Sequence, residues 1–143
     1  MPILSQKQAD DLSYAVIGAA IEVHKELGPG LLENIYQKCL EMEMEMRKIK
    51  FQKEMIVPIS YKGVYVNADL RCDFFIEDCL VVELKAVDKM IPVYEAQVMT
   101  YMRLLKSPKG VLINFNCQNL FKYGQATYVN DTYRNLPLVN DLQ

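Results

Sequence analysis

Apolar residues in this chain repeat with the period of a helix up to Ile49, switch at Phe51 to the period of a strand, and return to the helical period at Val93. A chain that changes period in this way must lay helices against a sheet, which excludes a pure helix bundle and a pure strand barrel. From Ala9 to Leu27 the stripe is Leu12, Val16, Ala19, Ala20, Val23 and Leu27, and Gly28-Pro29-Gly30 ends it. Leu32, Ile35, Cys39, Met42, Met46 and Ile49 then fall at steps of three and four, the apolar face of a second helix. Within it Glu41 to Met46 alternate Glu and Met, a strand pattern in isolation; the longer spacing and the helix propensity of both residues favour the helix.

After Phe51, Met55, Val57 and Ile59 alternate with Ile56, Pro58 and Ser60, and Pro58, which has no N–H to give a ladder, predicts an edge strand. Lys62-Gly63 is a tight-turn signal. Beyond it Val64, Val66, Ala68, Leu70, Cys72 and Phe74 share a face expected to be core, while Tyr65, Asn67, Asp69, Arg71 and Asp73 share a polar one. Glu77-Asp78 turns the chain into Leu80 to Val87, where Leu80, Val82, Leu84 and Ala86 oppose Val81, Glu83, Lys85 and Val87. A helix is predicted from Val93 to Lys106 and a short buried strand from Gly110 to Phe115, with Gln125 to Val129 a candidate for another strand that is not counted in the expected element order. The expected class is α/β, a mixed sheet flanked by helices in the order α-α-β-β-β-α-β. Residues 1–129 form one domain on this reading, and 130–143, rich in Asn and Asp, a loosely attached C-terminal tail.

Composition removes several function classes. With 143 residues, 51% hydrophobic and 24% charged, the chain is sized for one globular core. The net charge of -2 rules out a polybasic nucleic-acid arm, so a polyanion would have to meet a local patch. Cys39, Cys72, Cys79 and Cys117 contain no C-x-x-C pair and there is one histidine, which argues against a zinc site or an iron–sulfur cluster. No leader pattern opens the chain and no apolar run approaches membrane-spanning length; a cytoplasmic protein with reduced thiols and no membrane partner is expected.

The chemistry-bearing residues sit on the central hairpin. Glu83 and Lys85 are two apart in a strand and point to one face, and the turn at Glu77-Asp78 brings that face beside Asp73. Two carboxylates aimed at one point form a hard-oxygen site suited to Mg²⁺ or Mn²⁺, and a lysine beside them can steady charge developing on a phosphate. The alternative is an exposed hairpin face on which Glu and Lys pair for little energy. Glu33 falls in the first turn of the second helix, where the dipole favours a carboxylate. Gln97 and Tyr101 lie four apart on one face of the helix that follows the Glu-Leu-Lys strand. Tyrosines such as Tyr61, Tyr65, Tyr94 and Tyr123 could stack on bases, the alternative being ordinary packing with the hydroxyl at the surface, and Lys48, Lys50, Lys53, Lys106, Lys109 and Lys122 could form a phosphate-tracking rim, a weak one with only four Arg.

These residues together resemble the GxxExxY proteins, a branch of the PD-(D/E)xK nuclease superfamily with a restriction-endonuclease-like core. The namesake motif is Gly30, Glu33 and Tyr36 in LGPGLLENIY, the nuclease core is Asp73 with Glu83-Leu84-Lys85, and Gln97 with Tyr101 resembles the Q-x-x-x-Y box of RecB-type and lambda-exonuclease-like enzymes. The resemblance implies that Asp73 and Glu83 bind Mg²⁺ or Mn²⁺ with help from Glu33, and that Lys85 is the base or electrostatic stabiliser. It further implies that Gln97, Tyr101 and Tyr36 shape the site or hold nucleic acid, DNA ahead of RNA. His24, one turn before the helix break, matches a histidine that serves some RecB-type relatives as an additional metal ligand; its alternative is a boundary histidine already satisfied within its own helix packing. Cys72 stands where the superfamily name has its proline, and the cysteines do not suit the iron–sulfur cluster of some relatives. A catalytically silent module of the same fold, acting as a homodimer or as the partner of a larger protein, is the competing reading.

Overall fold

The structure, a computed structural model, describes residues 4–139. Two helices come first, α1 (Gln6–Leu27) and α2 (Glu33–Met46). Ser5 caps α1 through a reciprocal pair with Gln8, and the helix stops where Gly28 takes a positive φ of 67° and its N–H closes on the His24 carbonyl. Five strands follow, β1 (Phe51–Ile56), β2 (Ile59–Tyr61), β3 (Val64–Val66), β4 (Arg71–Ile76) and β5 (Leu80–Lys85). Then come α3 (Pro92–Leu104), β6 (Lys109–Asn114), a one-turn α4 (Leu120–Tyr123), β7 (Gln125–Val129) and a one-turn α5 (Asp131–Arg134).

The main sheet has the strand order β1-β4-β5-β6-β7, antiparallel except between β5 and β6. α3 makes the crossover between those two parallel strands, as a parallel pair requires. α1 and α2 cover one face, closing a core of Val16, Tyr36, Leu40, Phe74, Leu84 and Ile113; α3 covers the other with Val98, Tyr101 and Met102 over Phe75, Val81 and Leu112. Gly110 allows α3 to lie this close, because a Cβ there would meet Val98 Cγ1 at 2.6 Å and Met102 Sδ at 2.7 Å.

Several expectations change. β4 and β5 are buried on both faces rather than on one, since α3 roofs the side that carries Glu83. The stretch from Val64 to Phe74 is two strands, not one: β3 pairs only with β2 across the Lys62-Gly63 turn, in a separate two-stranded sheet, and residues 67–70 are irregular. Pro58 separates β2 from β1, and β1 is the edge strand. Cys72 is buried with Phe75 on the α3 side while Phe74 joins the other core, so the expected alternation breaks at Asp73; opposite it Glu54 takes a φ of 50° and the β1–β4 ladder skips that pair.

On α2 the buried residues are Tyr36, Leu40 and Met44, whereas Leu32, Ile35, Met42 and Met46 of the predicted apolar stripe are exposed. The helix carries two apolar stripes, and the sheet takes the one the spacing did not single out. The segment after Val129 is tied down where it is described. Asn130 donates to the Ser107 carbonyl, the Tyr133 hydroxyl to Asp10, and the Gln6 and Lys7 amides donate to the carbonyls of Pro137 and Leu138. Residues 140–143 of the expected tail lie outside the described residues.

Candidate active site

The β4–β5 ladder pairs Ile76 with Leu80, Phe75 with Val81 and Phe74 with Val82, then stops. One step further the backbone groups are met by side chains: the Asp73 amide donates to Glu83 Oε1 at 2.9 Å, and the Leu84 amide donates to Asp73 Oδ2 at 2.8 Å. Each carboxyl thereby holds a strand amide with one oxygen, and the two carboxyls also meet each other. The strands are held apart without an orphaned amide, which would cost about 1–3 kcal/mol.

Glu83 is buried and Asp73 half-buried. Burial, and then the Asp73 charge, push the Glu83 carboxyl up to about 8. Burial also raises Asp73, against the Leu84 amide and the Lys85 charge that pull it down. Glu33, at the start of α2, is raised by burial and then by Asp73 and lowered by Lys85, so the charges of the hairpin reach it. The Cys72 thiol is driven far up by burial and by both carboxylates, so it offers no thiolate here.

Lys85 lies at the mouth of the cluster. Its Nζ sits 4.6 Å from the centre of the Tyr94 ring and donates to Gln97 Oε1 at 3.5 Å, while Gln97 Nε2 donates to the Tyr101 hydroxyl at 3.1 Å. Both Gln97 and Tyr101 therefore face the Glu83–Lys85 strand from α3, and burial with the nearby Glu83 charge raises the Tyr101 hydroxyl. Asp73, Glu83, Lys85, Gln97 and Tyr101 thus border one region, and Glu33 is near enough for the Asp73 and Lys85 charges to act on it.

Tyr36 and His24 are elsewhere. Tyr36 is fully buried, stacked on Phe115 at 4.5 Å, and its hydroxyl donates to the Gly28 carbonyl and accepts from the Leu31 amide. It fixes the Gly28–Leu31 turn that launches Glu33 and has no surface to offer nucleic acid. His24 is buried beside Phe115 with Nε2 on the Cys117 carbonyl at 2.8 Å, so that nitrogen carries the proton and the ring is already used. Lys109 leaves the expected phosphate rim: it is buried in an ion pair with Asp10. Lys53 pairs with Glu41.

One residue escaped the sequence reading. Asn114, buried at the end of β6 opposite Lys85, grips Val87 with both ends of its amide, accepting from the N–H at 3.1 Å and donating to the carbonyl at 3.0 Å. It pins the segment leaving Lys85. Its only sequence signal is an amide side chain ending an otherwise apolar run.

A family model for the PD-(D/E)XK nuclease superfamily matches residues 10–125. The chain belongs to the PD-(D/E)XK nuclease superfamily. Comparison with curated proteins and with solved structures gave no match. The five-stranded mixed sheet with helices on both faces agrees with the superfamily fold. Members of this superfamily generally use a divalent metal. Among the described residues no three of His, Cys, Asp and Glu stand pre-arranged around one point. What the opened β4–β5 pair does present is two carboxyl groups, Asp73 and Glu83, whose anionic forms are disfavoured by burial and proximity. A divalent cation reverses that penalty, so the donor set fits one. No helix among the described residues is long and apolar enough to cross a membrane.

Proposed function

We propose that the protein is a metal-dependent nuclease that hydrolyses phosphodiester bonds of DNA, with Asp73 and Glu83 holding Mg²⁺ or Mn²⁺ and Glu33 assisting. The observation that supports this reading is the opened β4–β5 pair, in which two carboxylates take over strand amides and converge next to a lysine. The cation, when bound, supplies the charge that neutralises a scissile phosphate and lowers the barrier to attack by water.

The chain's own residues do the rest. Lys85, its ammonium set against the Tyr94 face and tethered by Gln97, presents a cation at the site mouth that stabilises charge developing on the phosphoryl oxygens and orients the attacking water. Gln97 and Tyr101 position Lys85 through a short relay. Glu33 comes from the helix whose start is fixed by Tyr36 and would add a third carboxylate to the pair. DNA is the proposed substrate because the Gln97–Tyr101 pair resembles the corresponding box of RecB-type exonucleases.

Incubation of labelled single- and double-stranded DNA, with RNA in parallel, tests the reading. Cleavage with Mg²⁺ or Mn²⁺ that EDTA abolishes is expected. A protein inert on every nucleic acid with either metal would overturn it in favour of a silent module of the same fold.

A further inference from the structure

α2 has one stripe, Tyr36, Leu40 and Met44, buried in the core, and a second, Ile35, Met42 and Met46, turned outward and continued by the exposed N-cap Leu32; Cys39 lies between the two, half-buried against the core. Leu32 is 75% exposed, Met42 61% and Met46 69%. With Cys39 included, the spacing from Leu32 to Met46 alternates three and four, the seam spacing of paired helices; it ends with the helix, since Lys48 takes a left-handed φ of 60° and Ile49 packs against the core. The flanks of the seam differ. One carries Tyr36 and Glu43, of which Tyr36 is in the core and Glu43 is held by Arg47 at 2.7 Å. The other carries Lys38 and Glu45, both exposed and without an ion pair among the described residues.

We propose that this face docks on the same face of a second copy of the chain, α2 against α2 and antiparallel. In an antiparallel pair whose centre lies between Cys39 and Met42, the free flanks meet each other, so Lys38 of each copy faces Glu45 of the other, twice by symmetry. A parallel pair would instead need Glu43, which is half-buried and already engaged by Arg47. The charge pattern is self-complementary, which is what a second copy uses and an unrelated partner has no need of. Glu33 lies off the seam, on the side of the helix facing Asp73 and Lys85, so the pairing leaves the carboxylate cluster open. A single helix pair buries less than the roughly 1,200 Å² of a stable standard interface, so the dimer forms with a dissociation constant on the order of tens of micromolar.

Sedimentation velocity of the full chain from about 5 to 500 µM reads the self-association directly. A concentration-dependent dimer is expected. Met42→Glu should weaken it at least about tenfold, and Lys38→Glu and Glu45→Lys singly by about three- to tenfold. The double swap Lys38→Glu with Glu45→Lys should return it to within about twofold of the parent, because it re-creates the cross-pairs only in the antiparallel arrangement. All three positions are exposed, and an unchanged melting temperature of the monomer verifies folding. A monomer across the whole range, a dimer indifferent to Met42→Glu, or a double swap no better than the single ones would each overturn the proposal.

Discussion

The two ends of the β4–β5 pair are built on opposite principles. Between Phe74–Val82 and Ile76–Leu80 the strands are laddered backbone to backbone, apolar on both faces and closed by the Glu77-Asp78 turn, where both residues take positive φ. At Asp73 and Glu83 the ladder gives way to carboxylates, and the charges there are held where burial disfavours them. The closed end supplies the burial that stabilises the hairpin; the open end spends part of that stability on keeping two acids together. Function and stability are therefore expected to separate along a single pair of strands.

Substitution at the open end gives the sharpest contrast. Asp73→Asn and Glu83→Gln each retain an oxygen for the strand amide, so DNA cleavage should fall on the order of 10³-fold or more while the melting temperature stays level or rises. A fall in stability matching the loss of activity would erase the distinction between the ends. At the closed end the pattern should invert: Leu80→Ala should cost about 2–5 kcal/mol in denaturant unfolding while cleavage per folded molecule remains within about twofold of the parent.

The pH dependence of stability tests the same asymmetry. Glu83 has its folded-state value raised above the ordinary 4.5 to about 8, so the folded chain holds a proton that the unfolded chain has released in between. Its contribution is fully present below about 4.5 and is lost as pH rises through about 8. Asp73 and Glu33, also raised, act with the same sign. Thermal melts of metal-free protein should show stability declining across this window, Glu83→Gln should flatten the decline, and Mn²⁺ should raise the melting temperature more at pH 8 than at pH 5. An unchanged slope in Glu83→Gln would place the acid penalty elsewhere. The smallest effect belongs to positioning: Gln97→Ala should slow cleavage by about tenfold by releasing Lys85. In a Lys85→Ala background the same change should add nothing, whereas additive losses would mean that Gln97 acts independently of Lys85.

That Glu83 and Lys85 share a face was legible in the sequence because strand alternation fixes it, and the short turn at Glu77-Asp78 placed Asp73 on the neighbouring strand; Gln97 with Tyr101 was legible because four residues make about one helical turn. Periodicity was less informative where a helix has two apolar stripes. It marked Leu32 and Met42 on α2, but only the tertiary packing decides that Tyr36, Leu40 and Met44 meet the sheet. Alternation likewise failed at Asp73, since the break there comes from carboxylates replacing ladder bonds, an arrangement invisible to a pattern of apolar and polar letters. Asn114, Lys109 and Tyr133 act through partners far away in the chain, Val87, Asp10 and again Asp10, and a single sequence carries no signal for such pairs.

The central claim is that the open end of β4 and β5 exists to hold a cation between two carboxylates. A crystal of the protein soaked in Mn²⁺, with anomalous diffraction collected at the manganese edge, tests it most directly. A peak between Asp73 and Glu83, lost in Asp73→Asn crystals soaked identically, is the expected result. A manganese peak elsewhere, or none while both carboxylates remain on their strand amides, would contradict the account.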